Sequence, residues 1–279
     1  MKLQLRILVT VLALATAAFA SGAKADRLAQ IKERKTLICG VLNNVEPFGF
    51  IGSPPGEAGK RELVGYDVDF CKAVAAQLGV KPELKVLSLE ARIPELTQGR
   101  VDILAAVLGY TAIRAGQIDF SDQYFVSEQK LAVQKGGPYK TRDDLNGKRI
   151  STIKGGSTQA FIQKELPQAT MISFDDAPTA FMALVQKKVD GFGLSESLLR
   201  RFIARLGKEG NLEVLMPPLG REEWGLGIKK GEPALLQAVN DALQKMEQSG
   251  QAAQIFDNWL GSKTELHMER SFKVEPIEG

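Results

Sequence analysis

Histidine and cysteine are scarce in this chain of 279 residues, which has one histidine, His267, and two cysteines, Cys39 and Cys71. A lone histidine near the C-terminus offers no base for a Ser–His or Cys–His catalytic pair. No cluster of histidines and cysteines has the spacing of a metal site. We therefore expect no metal or other cofactor and no nucleophilic hydrolase.

The chain has one long apolar run, and it lies at the N-terminus. Residues 1–25 combine Lys2 and Arg6 with this run and an A-x-A sequence at 23–25, which is the layout of a secretory signal peptide. A membrane anchor is the alternative, but the run is short for a bilayer span. Cleavage would leave a soluble mature chain that begins at Asp26.

The mature chain also lacks an excess of either positive or negative charge. The segment 1–25 holds three basic residues and no acidic one, so its removal leaves equal numbers of basic and acidic residues. This balance removes the compositional support for a nucleic-acid or anionic-membrane partner.

Apolar runs alternate with amphipathic helical patterns along the mature chain. TLICGVL precedes the helical YDVDFCKAVAAQLG, VDILAAV (101–107) reads as a buried strand, and KRISTI, TMISF and VDGFGL alternate with further helices. Such alternation is typical of α/β proteins with parallel sheets covered by helices. LTQGRVD (96–102) and LVQKKVD (184–190) are similar, which indicates two lobes of similar build, with chance similarity as the alternative. Ligands bind between the carboxyl ends of such sheets.

The lobe boundaries have to lie in segments that cross between the lobes, because no Pro/Gly-rich linker divides the chain. YFVSEQK and LMPPLGREE are the best such segments. We predict a signal peptide at 1–25, a discontinuous lobe 1 at 26–127 and 218–279, and a lobe 2 at 128–217.

The two cysteines fall in a predicted strand and in the helix that follows it. An even pair in an exported chain favours one disulfide between Cys39 and Cys71. Spacing alone does not bring their Cα atoms within bridging range, so two buried thiols are the alternative.

The stretch IKGGSTQAF (153–161) is a candidate anion site, since a glycine pair and hydroxyl residues open a predicted helix. Its spacing is not that of a nucleotide-binding P-loop. A plain turn capped by Ser157 is the alternative. Arg114 follows a buried strand by a short loop, so its guanidinium could hold a carboxylate in the cleft. From spacing alone, an ion pair of Arg114 with Asp119 or Asp122 is favoured instead.

Five segments, in order and sensibly spaced over 37–261, resemble one family of proteins. They are VGYDVDFCKAVAAQLGV, IPELTQGRVDIL, TAIRAGQIDFSDQYF, DLNGKRISTIKGGST and GQAAQIFDNWLG. The chain is similar to the bacterial extracellular solute-binding proteins of amino-acid ABC transporters. This resemblance implies two α/β lobes, joined by a two-strand hinge, that close over one small solute and deliver it to a membrane permease.

The resemblance also implies roles for individual residues. Arg114 would anchor the ligand carboxylate, and Ser157, Thr158 and Gln159 would supply donors from the other lobe. Arg92 is a candidate partner for a second ligand carboxylate, with an exposed helix residue as the alternative. The remaining candidate ligand-binding residues are Phe48, Gly109, Thr111, Ser195 and Glu196.

Three positions depart from the family pattern. Val45 stands where an aromatic residue is usual, and Gly109 where a hydroxyl residue is usual. Ser195 stands where an aspartate usually holds the ligand ammonium, and a serine cannot neutralise a buried cation. Glu196 or Glu46 could substitute, unless both are solvated. We therefore expect that the part of the site that binds the ligand carboxylate follows the family pattern, and that the part that binds the ligand amine differs from it.

The sequence therefore predicts a periplasmic receptor, monomeric and without enzymatic activity, for an amino acid or a related small carboxylate. One alternative is a dehydratase-like enzyme on the same fold that uses Glu46 or Glu196. A component that presents its ligand to a sensor is the other alternative.

Overall fold

The computed structural model describes residues 26–54, 56–57, 59–206 and 211–278; the predicted signal peptide at 1–25 lies outside them. The helices of the described residues are α1 (Arg27–Arg34), α2 (Tyr66–Gln77), α3 (Arg92–Thr97), α4 (Ala112–Ala115), α5 (Thr158–Glu165), α6 (Ala177–Val185), α7 (Glu196–Leu206), α8 (Pro233–Gln248) and α9 (Gln251–Trp259). The strands are β1 (Thr36–Val41), β2 (Asn44–Val45), β3 (Gly49–Gly52), β4 (Glu62–Val64), β5 (Lys81–Val86), β6 (Ile103–Leu104), β7 (Ile118–Gln134), β8 (Arg149–Ile153), β9 (Thr170–Phe174), β10 (Gly191–Ser195), β11 (Leu212–Val214) and β12 (Gly220–Lys229).

The main sheet has two parallel halves joined by an antiparallel pair of strands. Its order is β5-β1-β6-β12-β7-β10-β8-β9, with β11 paired to β7. Strands β5, β1 and β6 run parallel in one half, and β10, β8 and β9 in the other. The mixed α/β architecture that the alternating pattern predicts is therefore confirmed.

The two long strands β7 and β12 pass between the halves. They pair antiparallel from Ile118 opposite Lys229 to Gln129 opposite Gly220, and β7 then pairs with β10. The first crossing segment named from the sequence lies within β7, and the second leads into β12. One end of the pair adjoins the first half-sheet, through β6, and the other end adjoins the second, through β10. The two strands therefore have the arrangement of a two-strand hinge.

Helices cover each half-sheet with apolar side chains. Helix α2 packs on β1 and β5 and against α8 and α9, whereas α5 and α6 pack on β8 and β10 and α7 packs on β7 and β10. The predicted disulfide is present: Cys39 on β1 and Cys71 on α2 are bonded, with their Cα atoms 6.3 Å apart. The bond fastens α2 to β1, which lies between β5 and β6 in the sheet.

The predicted strand at 101–107 is shorter than its apolar pattern indicates. Only Ile103–Leu104 pairs with neighbouring strands, and Val107 has a positive φ of 46°. The carbonyl groups of Ala106 and Val107 instead accept hydrogen bonds from Arg92. A local pattern of apolar residues cannot reveal this change of hydrogen-bond partner, because the donor, Arg92, lies on α3.

Among the described residues, no helix has the length and apolar character that crossing a membrane would require.

Candidate functional site

A cavity of about 330 Å³ lies between the two half-sheets, beside the β7–β12 pair. Its walls come from both halves of the molecule. The first half contributes the loop that begins at Asn43 and the start of α3, and the second contributes the start of α5, the start of α6 and one face of α7. Glu222 and Trp224 on β12 also line it.

The loop at 153–158 brings the start of α5 to this cavity. Gly155 has a φ of 70°, a conformation that L side chains rarely adopt, and the turn leads through Gly156 and Ser157 into the helix. Ser157 is the N-cap residue of α5, but its side chain makes no capping hydrogen bond. The first N–H groups of a helix have no partner within the helix, so this end of α5 can donate to an anion.

Arg92 is buried, with 2% of its surface exposed, so the exposed-helix alternative is wrong. Its guanidinium donates to the carbonyl oxygens of Leu89 (2.9 Å), Ala106 (2.7 Å) and Val107 (3.0 Å), and also to Gly155 (3.0 Å). These bonds use four of the five N–H groups that an arginine has. Burial and then the nearby charge of Arg114 lower the pKa of Arg92 to about 9.

Arg114, on α4, also donates only to backbone oxygens. Its Nη1 bonds to Gly109 (2.7 Å) and its Nη2 to Gly155 (2.8 Å). The alternative of an ion pair with Asp119 or Asp122 is not what the structure shows, because Asp119 pairs with Lys230 and Asp122 accepts from Gln244. Burial lowers the pKa of Arg114. Its remaining N–H groups are available to a carboxylate.

The candidate residues from the sequence divide between the cavity and its surroundings. Those that line the cavity are Arg92, Ser157, Thr158 and Ser195. Arg114, Gly109, Thr111, Gln159, Phe48 and Glu196 lie outside the lining.

The candidates outside the lining have identifiable contacts. Arg114 donates to the carbonyl oxygens of Gly109 and of Gly155, the residue before the lining residue Gly156. Thr111 caps α4 by accepting from the Arg114 backbone N–H. Gln159 donates to Ser173.

Phe48 is fully buried, in edge-on contact with Tyr66 and Phe125.

The two carboxylates suggested as substitutes at the amine end are ion-paired. Glu46 contacts Arg201 and Arg205, the latter at 2.7 Å. Glu196 contacts Lys130 at 2.9 Å and Arg200. For Glu196, burial raises the pKa, but the hydrogen bonds from these two cations outweigh it and the pKa is lowered. Each of these carboxylates is thus engaged by two cationic side chains.

One charged residue of the cavity wall, Glu222, carries no signal in the sequence. It lies on β12, is 3% exposed, and its Oε2 accepts from the side chains of Gln129 and Trp224. Its Oε1 accepts no hydrogen bond. Burial raises the pKa of Glu222, opposed first by the interaction with the Ser157 side chain, then by the Trp224 hydrogen bond and the charges of Arg114 and Arg92. Sequence reasoning missed it because only tertiary structure places it near Gly109 and the two arginines.

A chain of hydrogen bonds connects α5 to the hinge strands. The Thr158 hydroxyl donates to the Gln129 side chain at 2.7 Å, and the Gln129 amide donates to Glu222. The start of α5 is thus held to both β7 and β12 at the wall of the cavity.

The fold and site define a class: two-lobed α/β proteins with a cavity between the lobes, lined by both apolar and polar side chains, and with arginines beside it. Residues 37–262 match the family model described as bacterial extracellular solute-binding proteins, family 3. The chain belongs to this family.

Individual relatives are similar over most of their length. The ABC transporter glutamine-binding protein GlnH of Bacillus subtilis (strain 168) is 29% identical over 85% of each chain. The L-cystine-binding protein TcyJ of Escherichia coli (strain K12) is 31% identical over 84% of this chain and 86% of that protein.

Among solved structures, the ancestral amino acid-binding protein AncCDT-1, a precursor of cyclohexadienyl dehydratase, has a TM-score of 0.74 and 27% identity, over 85% of this chain and 100% of that one.

Proposed function

We propose that this protein is the periplasmic receptor of an ABC importer and that it captures one α-amino acid between its lobes without chemical change. The proposal includes a signal peptide cleaved after Ala25, lobes at 26–127 plus 218–279 and at 128–217, and a monomeric state. The membership of the family and the amino-acid ligands named for GlnH and TcyJ support it.

The single observation that carries the proposal is the pair of arginines around Gly155. Arg92 and Arg114 come from one side of the cleft and Gly155 from the other, and both guanidiniums donate to the same carbonyl oxygen. Within the part of the chain that the structure describes, neither arginine has a carboxylate partner. Arg92 is buried and Arg114 half-buried, and although the charge of Glu222 acts on both, their hydrogen bonds all go to neutral oxygens. Such cations favour an anionic ligand at this position.

The proposed place of the ligand carboxylate is between Arg114 and the start of α5. The unused N–H groups of Arg114 can donate from one lobe, and the N–H groups and hydroxyl of the α5 start, at Ser157, from the other. Contacts from both lobes would make binding depend on closure of the cleft.

The ligand is proposed to carry one carboxylate at this end. Arg92 keeps only one N–H group unused by backbone oxygens, so it cannot clamp a second carboxylate in a bidentate manner. This argues for a neutral or basic amino acid over an acidic one.

A thermal-shift screen of the chain from Asp26 tests the proposal. The protein is unfolded and refolded to remove any bound ligand and then mixed with each amino acid or with simple carboxylates. An amino acid at a hundred times its Kd should add about 2.7 kcal/mol to the free energy of unfolding. The ligand should be recovered unchanged after incubation.

Two variants locate the binding. Arg114→Ala should weaken the affinity for the best ligand by roughly 100-fold, because a charged hydrogen-bonded partner is lost. Arg100→Ala, which removes a half-exposed arginine that pairs with Glu95, is the matched control and should bind normally. A screen without any amino-acid shift, or equal binding by the two variants, would refute the proposal.

A further inference from the structure

The amine end of the cavity has no free acid at the positions that the sequence suggests. Ser195 lines the cavity at 3% exposure, and its hydroxyl has no hydrogen-bond partner. A serine brings no charge to an ammonium group. Glu46 and Glu196 are already engaged by arginine and lysine side chains.

Glu222 is a buried carboxylate in the same cavity that is not engaged in this way. Its two donors, the Gln129 amide and the Trp224 indole, are neutral and both reach Oε2. The other oxygen, Oε1, is buried and has no donor at hydrogen-bonding geometry, although the nearby Ser157 side chain lowers the pKa of the carboxyl. A buried carboxylate oxygen without a donor is costly, and an ammonium group is a donor that would satisfy it.

Gly109 provides the space for this carboxylate. A Cβ atom at position 109 would lie 1.7 Å from Glu222 Oε1 and 2.1 Å from its Cδ. A hydroxyl residue at 109, which the family resemblance leads one to expect, cannot coexist with Glu222 in this position. The glycine at position 109, which differs from the family pattern, is therefore what allows the Glu222 side chain to occupy this position.

The same glycine connects Glu222 to the proposed carboxylate anchor. The Gly109 carbonyl oxygen accepts from Arg114, while its Cα faces Glu222. In an α-amino acid, the ammonium and carboxylate groups are bonded to the same carbon. A ligand whose carboxylate is held by Arg114 would thus bring its ammonium to the neighbourhood of Glu222.

We propose that Glu222 binds the α-ammonium group of the ligand and takes the place of the acid missing at Ser195. This inference rests on the proposed function, since it requires an amino acid in the cavity. It assigns Arg114 and Glu222 to the two charges of a zwitterion, so that a carboxylate without an amine would bind weakly.

The test is a titration calorimetry comparison with two proteins and paired ligands. Wild type and Glu222→Gln are titrated with L-glutamine, L-arginine and L-glutamate and with the 2-hydroxy acid analogue of each. The amide keeps the size of the side chain and removes its charge. Glu223→Gln, on the same strand, is the matched control.

The inference predicts a loss that depends on the ligand amine. Glu222→Gln should bind the preferred amino acid roughly 10- to 100-fold more weakly, and its hydroxy analogue within about threefold of wild type. Wild type should prefer the amino acid, and Glu223→Gln should keep that preference. Gly109→Ser, which displaces the carboxylate, is a second variant that should also lose the preference.

Other outcomes overturn the inference in distinguishable ways. Equal weakening of both ligands in Glu222→Gln would make Glu222 a positioning residue only. A wild-type protein that binds the hydroxy acid as well as the amino acid would show that the amine is not recognised, while the receptor function stands. Binding of no probe at all would remove the proposed function and this inference together.

Discussion

Asp67 is a buried carboxyl that supports the loop next to the cavity. It accepts hydrogen bonds from the Tyr124 hydroxyl and the Val107 backbone N–H, each at 2.7 Å, and it is 1% exposed. Burial raises its pKa to about 6, although both hydrogen bonds oppose the shift. The group therefore holds its proton more tightly in the folded than in the unfolded chain.

This shift predicts that stability falls as the pH rises. Below pH 3.8 the carboxyl is protonated in both states, and its contribution is fully present; the contribution is lost as the pH passes about 6. Between pH 4 and 7, Asp67 should cost about 2 kcal/mol of unfolding free energy.

Denaturant unfolding of wild type and Asp67→Asn across this pH range measures the effect. The variant should lack this part of the pH dependence, while the contribution of Glu222 remains in both proteins and cancels in the difference. Parallel curves would show that Asp67 does not titrate in this range.

At the scale of elements, strand β1 and helix α2 are joined by the Cys39–Cys71 bond, which closes a loop of sequence separation 32. In the chain-entropy model such a cross-link stabilises by about 4 kcal/mol, because it restricts the unfolded chain. Reduction should therefore lower the melting temperature clearly.

The matched control for this prediction is Cys39→Ala/Cys71→Ala, whose melting temperature should not respond to the reductant. The two proteins are compared in thermal unfolding with and without dithiothreitol. If reduction leaves the wild-type melting temperature unchanged, the bond does not contribute to stability.

The helices and strands were predictable where their sequence pattern is local. The alternation of strands and helices, the helix 66–77 and the glycine loop before α5 all follow from short patterns in the sequence. The prediction of a strand over 101–107 was too long, because the carbonyl groups of Ala106 and Val107 bind Arg92 rather than a neighbouring strand.

The candidate site was only partly predictable for the same reason. The arginines at 92 and 114 stand in recognisable segments, but the burial of Arg92 is a tertiary property. Glu222 faces Gly109 across more than a hundred residues of chain, and no spacing rule links them.

At the scale of the whole molecule, ion pairs span the cleft at its rim. Arg201 and Arg205 on α7 belong to the proposed lobe 2, and both contact Glu46 of lobe 1. Arg201 also contacts Glu265, at 2.7 Å. These pairs are made only when the lobes are close together, so they favour the closed arrangement.

Removing these pairs should open the ligand-free chain. Arg201→Gln/Arg205→Gln is expected to have a larger radius of gyration by small-angle X-ray scattering. Its ligand affinity should fall roughly 2- to 10-fold, because closure becomes less favourable. Arg200→Gln is the matched control, since Arg200 pairs with Glu196 on its own helix. Equal radii for both variants would show that the pairs do not hold the cleft closed.

The crystal structure of the refolded chain with the amino acid that stabilises it most tests the central claim most directly. The account predicts one ligand molecule in the cavity between the lobes, with its carboxylate on Arg114 and the start of α5 and its ammonium on Glu222. A ligand bound outside this cavity, or one whose carboxylate points away from Arg114, would contradict the account.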